Sequence, residues 1–318
     1  MHFDFDAAVS APFRMQPGLR RVAAGAQQLT PLPPGARHQR EKLAVLTSYW
    51  PQALLVREGF DASAALDAVC RHAALEHPGA WAWDGRRAHA LWLGTAATAD
   101  GQIEQTATGS FGLGDEVLRC LQVLPPQWRL TGLLSLAFAE DLAIVDAHDS
   151  SIPWLAVALP SHWAPETKVG QPFAAVHAPV ADNAMLLRAA ESITRLVTGT
   201  DRWERFVWTV TDQPRLHTHP ARTDPDRWAH TPVGRAWWRT ERQTFIPLPE
   251  LRQAVFTIHV EVQPLAEALP TARHAQRLHD AITSMSPAVL AYRSLASVRE
   301  PLLAWLAQRA AGVTSPPT

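Results

Sequence analysis

The sequence predicts an α+β fold: one antiparallel sheet with flanking helices and helical N- and C-terminal extensions. Three observations predict it. Late in the chain two alternating stretches, RAWWRTERQTFIPL and QAVFTIHVEV, are separated only by PELR, so a hairpin closes over a short loop. In the middle, LLSLAFAEDLAIVDA and WLAVALPS are apolar runs joined by the turn-like HDSSIP, which reads as a buried antiparallel pair. Around both pairs, apolar residues recur at helical spacing. With 318 residues, 47% hydrophobic and 19% charged, the chain can bury a sizeable core.

In order, the first forty residues carry Pro12, Pro17, Pro31, Pro33 and Pro34 and keep no apolar period, which predicts an extended arm. EKLAVLTSYWPQALLV reads as a short helix ended by Pro51, and SAALDAVCRHAALEHPG as a second helix. Residues 80–130 are mixed in character, with a brief helix in GDEVLRCLQVLPP. After the central strand pair, SHWAPETKVGQPFAAVHAPV is broken by three prolines and Gly170, so it is irregular chain or single helical turns. A long helix follows, with Asp182 as its cap, a stripe of Met185, Leu186, Ala189, Ile193, Leu196 and Val197, and Gly199 as a left-handed stop. RFVWTVT and the late hairpin supply three more strands. The tail, from QPLAEALP to VREPLLAWLAQRAAG, reads as two or three helices before TSPPT frays. Two strands, short helices, one long helix and three antiparallel strands, in that order, is the element order of a PAS domain.

Composition excludes several classes. Lys+Arg 29 against Asp+Glu 30 leaves no positive excess for nucleic acid or an anionic membrane. No run is long enough for a membrane helix, and the N-terminus lacks a signal-peptide layout, so the expected place is the cytoplasm. Two cysteines are too few for a four-thiolate zinc site or an iron–sulfur cluster. GSFGLG does not fit a dinucleotide fingerprint, and no phosphate-binding loop or nucleophile elbow is present. The HTH at His217 to His219 reads as a surface turn, and His148 with Asp146 and Asp149 as a solvent-facing hairpin turn.

Two places can carry chemistry. His177 lies in the proline-stiffened FAAVHAPV, where the chain passes along the concave face of the sheet; its ring is either a metal ligand or a structural histidine. In WRTERQTFIPLP, alternation puts Arg239, Glu241, Gln243 and Phe245 on one face and Thr240, Arg242 and Thr244 on the other. Charges there are costly to bury unless they pair or meet a polar ligand; the other reading is a solvated face. Trp237, Trp238 and Phe245 argue for partial burial, and Arg205 and Trp208 in RFVWTV share the ambiguity. In the third strand Phe256, Ile258, Val260 and Val262 oppose Thr257, His259 and Glu261.

RTERQTFIPLP followed by AVFTIHVEVQPL resembles the signature strand pair of the haem-dependent oxidative N-demethylase alpha-subunit family. FRMQPGLRRV, LLSLAFAEDLAIV, PSHWAPETKVGQPFAAVHAPV, RFVWTV and VLAYRSL agree in order and spacing, so the resemblance runs from about Phe13 to Leu306.

This resemblance implies a PAS-fold protein that binds haem b. It implies an oxidoreductase of the monooxygenase type that takes dioxygen and a small secondary amine such as dimethylamine, oxidises an N-methyl group and releases formaldehyde. Electrons are expected to start on NADPH and arrive through partner subunits carrying FMN and a 2Fe–2S cluster. His177 is the expected axial ligand of the haem iron. Arg239 is expected as a donor toward developing negative charge, Glu241 as the group that holds or deprotonates the amine, and Gln243 beside it. Arg205, Trp208, Trp238 and Phe245 are expected around the cofactor. The expected organisation is an extended arm over 1–40, one haem-binding PAS-like domain with helical extensions over 41–306, and a tail over 307–318. The resemblance departs at Val207, where asparagine is common, and at His259, where arginine is common. His259 is thus a rival axial ligand, or else an exposed or cross-strand histidine. The competing reading of the same pocket is a haem-binding gas sensor or non-catalytic haem protein.

Overall fold

A computed structural model describes residues 3–312. Its helices are α1 (Phe5–Ala8), α2 (Arg37–Ala53), α3 (Ser63–Glu76), α4 (Glu116–Val123), α5 (Pro126–Ala137), α6 (Phe173–His177), α7 (Ala184–Arg188), α8 (Ala190–Val197), α9 (Leu265–Ala268), α10 (Ala272–Thr283), α11 (Pro287–Tyr292) and α12 (Arg299–Ala310). The strands are β1 (Arg20–Arg21), β2 (Leu54–Val56), β3 (Trp81–Trp83), β4 (Arg87–Ala90), β5 (Thr95–Thr98), β6 (Ile103–Gln105), β7 (Asp141–Asp146), β8 (Ser151–Ala156), β9 (Trp203–Thr211), β10 (Trp237–Leu248) and β11 (Gln253–Pro264). The mixture of helix and antiparallel sheet is that of an α+β protein.

Seven strands form one sheet in the order β1-β9-β10-β11-β7-β8-β2, and four form a small meander in the order β3-β4-β5-β6. The late hairpin pairs Leu248 with Gln253 at the loop and Trp237 with Pro264 at the open end, so its alternation holds for twelve residues on each strand. β11 then pairs with β7, which closes the central strand pair onto the late hairpin. One core lies between the sheet, α2, α3, α4 and α5; a second gathers Trp208, Val210 and Trp238 with α10, α11 and α12.

Several elements differ from their sequence reading. LLSLA is not strand but the end of α5, and β7 begins only at Asp141. Pro126 at the first helical turn starts that helix, and an all-round apolar segment suits a buried helix as well as a strand. α2 begins at Arg37 and passes Pro51, with a kink at Tyr49. The long helix is two, α7 and α8, meeting at Ala189. The break keeps Leu186, Ala190, Ile193 and Val197 buried while Met185 and Leu196 stay exposed. Asp182 does not cap it: its backbone is left-handed and its carboxylate accepts from Ser286 Oγ at 2.7 Å. Gly199 is not left-handed either.

Residues 80–130 resolve into the small meander plus α4, the tail holds four helices, and the expected tail at 307 begins inside α12. TSPPT lies outside the described residues. The first forty residues, though mostly irregular, are tied down: β1 pairs with β9, and Val9 is fully buried in the second core.

Candidate active site

Alternation along the sheet builds one wall of a cavity of about 430 Å³, within the usual range for small-molecule sites. Arg205, Val207 and Thr209 come from β9, Arg239, Glu241, Gln243 and Phe245 from β10, and Phe256 and Ile258 from β11. The register sets Glu241 beside Val207 and Gln243 beside Arg205, since residues directly opposite on neighbouring strands share a face. The other walls are α6 to α8 with His177 and Ile193, the loop Ser161–Trp163, the N-terminal Met15 and Leu19, and Tyr292 to Ser294 at the end of α11. Phe173, Ile193 and Val197 pack on Phe245 and Val145, which holds the helical wall against the sheet.

Glu241 sits at the centre of a polar relay. Its Oε2 accepts from Gln243 Nε2 at 2.6 Å, and its Oε1 accepts from the Ser161 hydroxyl, which in turn accepts from Arg239 Nε at 2.8 Å. The carboxylate is therefore fixed on both oxygens at the cavity wall. Arg239 is spent elsewhere: it donates to the carbonyls of Leu216 at 2.7 Å and Arg215 at 3.0 Å, and more loosely to Leu159 and Pro160. Burial pushes its pKa down to about 10, with Glu241 acting in the opposite direction. This guanidinium ties two loops to β10, and that corrects its expected role as a free donor.

His177 ends α6. Its Nδ1–H donates to the Phe173 carbonyl at 2.8 Å, its ring stacks on Phe173 at 4.0 Å between centroids, and among the described residues Nε2 has no hydrogen-bond partner. Burial lowers its pKa to about 4, and the nearby Arg205 and Lys168 push the same way against the Phe173 carbonyl. At neutral pH the ring is therefore uncharged, with the Nε2 lone pair available. A backbone carbonyl on Nδ1 is the usual way a protein orients a metal-ligating imidazole.

Among the described residues of the cavity wall, Arg205 and Arg293 carry buried donors without a partner. Arg205 lies on the cavity wall, and its Nε is a buried donor with no partner; burial lowers its pKa, with Glu241 and then Tyr292 opposing. Arg293 donates to the Trp208 carbonyl, but its Nε is also unpartnered, and its guanidinium lies over the rings of Phe13 at 4.7 Å and Trp208 at 4.9 Å. Unpaired buried donors are uncommon, and both of these belong to residues that line the cavity.

Tyr292, Arg293 and His162 were not singled out from the sequence as site residues. VLAYRSL carried a signal for the first two, since Tyr292 is one of only two tyrosines in the chain. His162 lies beside the tryptophan of PSHW; its Nδ1 accepts from Arg227 at 3.3 Å, and burial, then Arg227 and Arg239, lower its pKa to about 3.

Other expectations are corrected. Trp238 does not line the cavity: its even-numbered position faces the other side of the sheet, where its ring stacks on Trp208 at 5.1 Å in the second core. Trp208 reaches the cavity edge, yet its indole Nε1–H donates to the Ala8 carbonyl at 2.9 Å, away from the sheet face that carries Glu241. Strict alternation along RAWWRTERQTF already separates Trp238 from Arg239.

His259 also faces away from the cavity and is neither exposed nor available to it. Its Nδ1 lies 2.8 Å from Glu140 Oε1 and its Nε2 3.0 Å from Glu261 Oε1. Burial opposes its charge, but hydrogen bonds to Glu140 and Glu261 outweigh that and raise its pKa to about 9. The HTH is no surface turn: His219 is 3% exposed and Thr218 bridges to Ser161. His148 does face solvent, with Nδ1 on Asp146 at 2.8 Å.

The family model described as haem-dependent oxidative N-demethylase, alpha subunit-like, matches residues 113–303. The chain belongs to this family. The match covers every strand and helix of the cavity wall except the N-terminal Met15 to Leu19 segment. A search of the curated proteins returned no match. The name of the N-demethylase alpha-subunit-like family speaks of haem, of oxidative N-demethylation and of a multi-subunit assembly. The cavity suits such a cofactor on its own chemistry: an uncharged imidazole with a free Nε2, apolar walls from Phe173, Phe245, Phe256 and Ile258, and guanidinium groups with unpartnered Nε donors for carboxylates. No helix among the described residues is long and apolar enough to cross a membrane.

Proposed function

We propose that this chain is the haem-carrying subunit of an oxidative N-demethylase acting on a small secondary amine of the dimethylamine kind. The observation that carries the reading is His177, with Nδ1 committed to the Phe173 carbonyl and Nε2 open in the same cavity as the fixed carboxylate of Glu241. The strand order β9-β10-β11-β7-β8, with α6 to α8 between β8 and β9, supports the PAS-type reading of this sheet.

His177 would hold the iron of haem b, and Arg205, Arg293 and Lys168 are the cavity cations suited to its propionates. When bound, the haem supplies the redox chemistry that dioxygen activation needs. The chain's own residues then position the amine. Glu241 accepts the amine N–H, and its two oxygens are held by Ser161 and Gln243, so it keeps one orientation throughout. Phe245, Phe256 and Val207 keep water from the methyl group. Two electrons and two protons accompany dioxygen; one oxygen atom leaves as water and the other in formaldehyde. Those electrons would come from NADPH through partner subunits bearing FMN and 2Fe–2S, which fits a chain with only two, buried, cysteines.

The test is His177→Ala in the purified chain reconstituted with haem. Loss of the Soret band, or its collapse to that of free haem, is expected; a wild-type spectrum removes His177 as the ligand.

A further inference from the structure

The back of the sheet carries a second constellation that the N-demethylase reading does not use. His259 and Glu261 alternate with the cavity residue Ile258, so they project on the face away from the cavity, where the first turn of α2 brings His38 over them. His259 Nε2 lies 3.0 Å and His38 Nε2 3.9 Å from the same oxygen, Glu261 Oε1. One ligand atom from each of the three residues falls within 4.8 Å of the others. Neighbouring ligand atoms around a tetrahedral ion with bonds of about 2.0–2.1 Å stand roughly 3.3 Å apart, so the set brackets that spacing.

The surroundings have the form of a metal site. Glu140, 2% exposed, takes His259 Nδ1 on Oε1 and the Thr30 backbone N–H on Oε2, which fixes the imidazole with Nε2 toward Glu261. A buried carboxylate on the far nitrogen of a histidine is the arrangement that orients ligating imidazoles and raises their basicity. The Glu261 side chain is 45% exposed, which leaves a path from solvent.

We propose that His38, His259 and Glu261 bind one divalent cation of the Zn²⁺ class, with Glu140 as the residue that positions His259. Two imidazoles and one carboxylate favour borderline first-row ions over Mg²⁺ and Ca²⁺. A proton on His259 Nε2 and the cation compete for the same place beside Glu261, and the cation also draws His38 Nε2 from the Val260 carbonyl, 2.7 Å away. Bound there, it ties α2 to β11 on the side of the sheet opposite the cavity.

The experiment is equilibrium dialysis of the full chain against Zn²⁺ after chelator treatment, with zinc and iron counted separately, for the wild type, Glu261→Ala and His38→Ala. Glu261 is half exposed, so its variant is expected to fold; circular dichroism checks both. One zinc per chain is expected, independent of haem content, with affinity at least tenfold weaker in each variant and a zinc-dependent rise in Tm that Glu261→Ala abolishes. Absence of stoichiometric zinc in the wild type, or wild-type affinity in either variant, overturns the proposal.

Discussion

Replacing Arg239 by Met separates a buttress from a reactant. The guanidinium makes three short hydrogen bonds, to Leu216 O at 2.7 Å, Ser161 Oγ at 2.8 Å and Arg215 O at 3.0 Å. Hydrogen bonds to a charged group contribute about 1.5–3 kcal/mol each, so their loss costs roughly 4–9 kcal/mol. Against this, Met removes a buried cation whose pKa is held down to about 10 from 12.5, a net penalty on the charged form of about 3 kcal/mol. The balance is a destabilisation of about 4 kcal/mol, the size found when one partner of a buried charged network is removed. Urea unfolding followed by far-ultraviolet circular dichroism reads it as a lower midpoint at unchanged slope. A loss under about 1 kcal/mol, together with lost amine oxidation, would refute the buttress role and return Arg239 to the chemistry.

Three further outcomes are expected. Glu241→Gln should leave haem binding intact while amine-dependent oxygen consumption falls about 10²-fold or more, as for loss of a positioned acid–base group; equal rates would remove Glu241 from the reaction. His162 is held uncharged down to about pH 3, so the folded state binds fewer protons than the unfolded state below the ordinary value of 6.5. Stability is then full above about pH 6.5 and falls as pH drops toward 3, by up to about 5 kcal/mol; His162→Gln should flatten that decline, and coincident pH–stability curves would contradict the cause. Gly101 has φ +86°, and a Cβ there would run into the backbone of Pro126 at the start of α5. Gly101→Ala should therefore cost about 2–4 kcal/mol in chemical denaturation, and an unchanged denaturant midpoint would show that this loop yields.

What was legible in the sequence was whatever follows from short-range periodicity. The β10–β11 hairpin, its loop and its faces follow from alternation over twelve residues with a four-residue connection, and hence Arg239, Glu241, Gln243 and Phe245 fall on one wall. The single turn of helix bearing His177 follows from its prolines. The same alternation put Trp238 on the opposite face, and aromatic character alone was no guide to which face lines the cavity.

Tertiary structure decided the rest, because it depends on which face a neighbour covers. An apolar run such as LLSLA is helix or strand according to what surrounds it, and here the core around Leu133, Leu134 and Leu136 takes it as helix. Asp182 reads as a cap until the left-handed backbone and Ser286 claim it. Arg239 and Arg205 look alike in sequence, yet carbonyls from two distant loops saturate the first and leave the second without an acceptor. His259 meets Glu140 across 119 residues, and His38 joins it from the first turn of a helix far earlier in the chain. Local spacing fixes where a side chain points along its own strand; only the packed chain determines what it meets, because its partners arrive from segments that no periodicity connects.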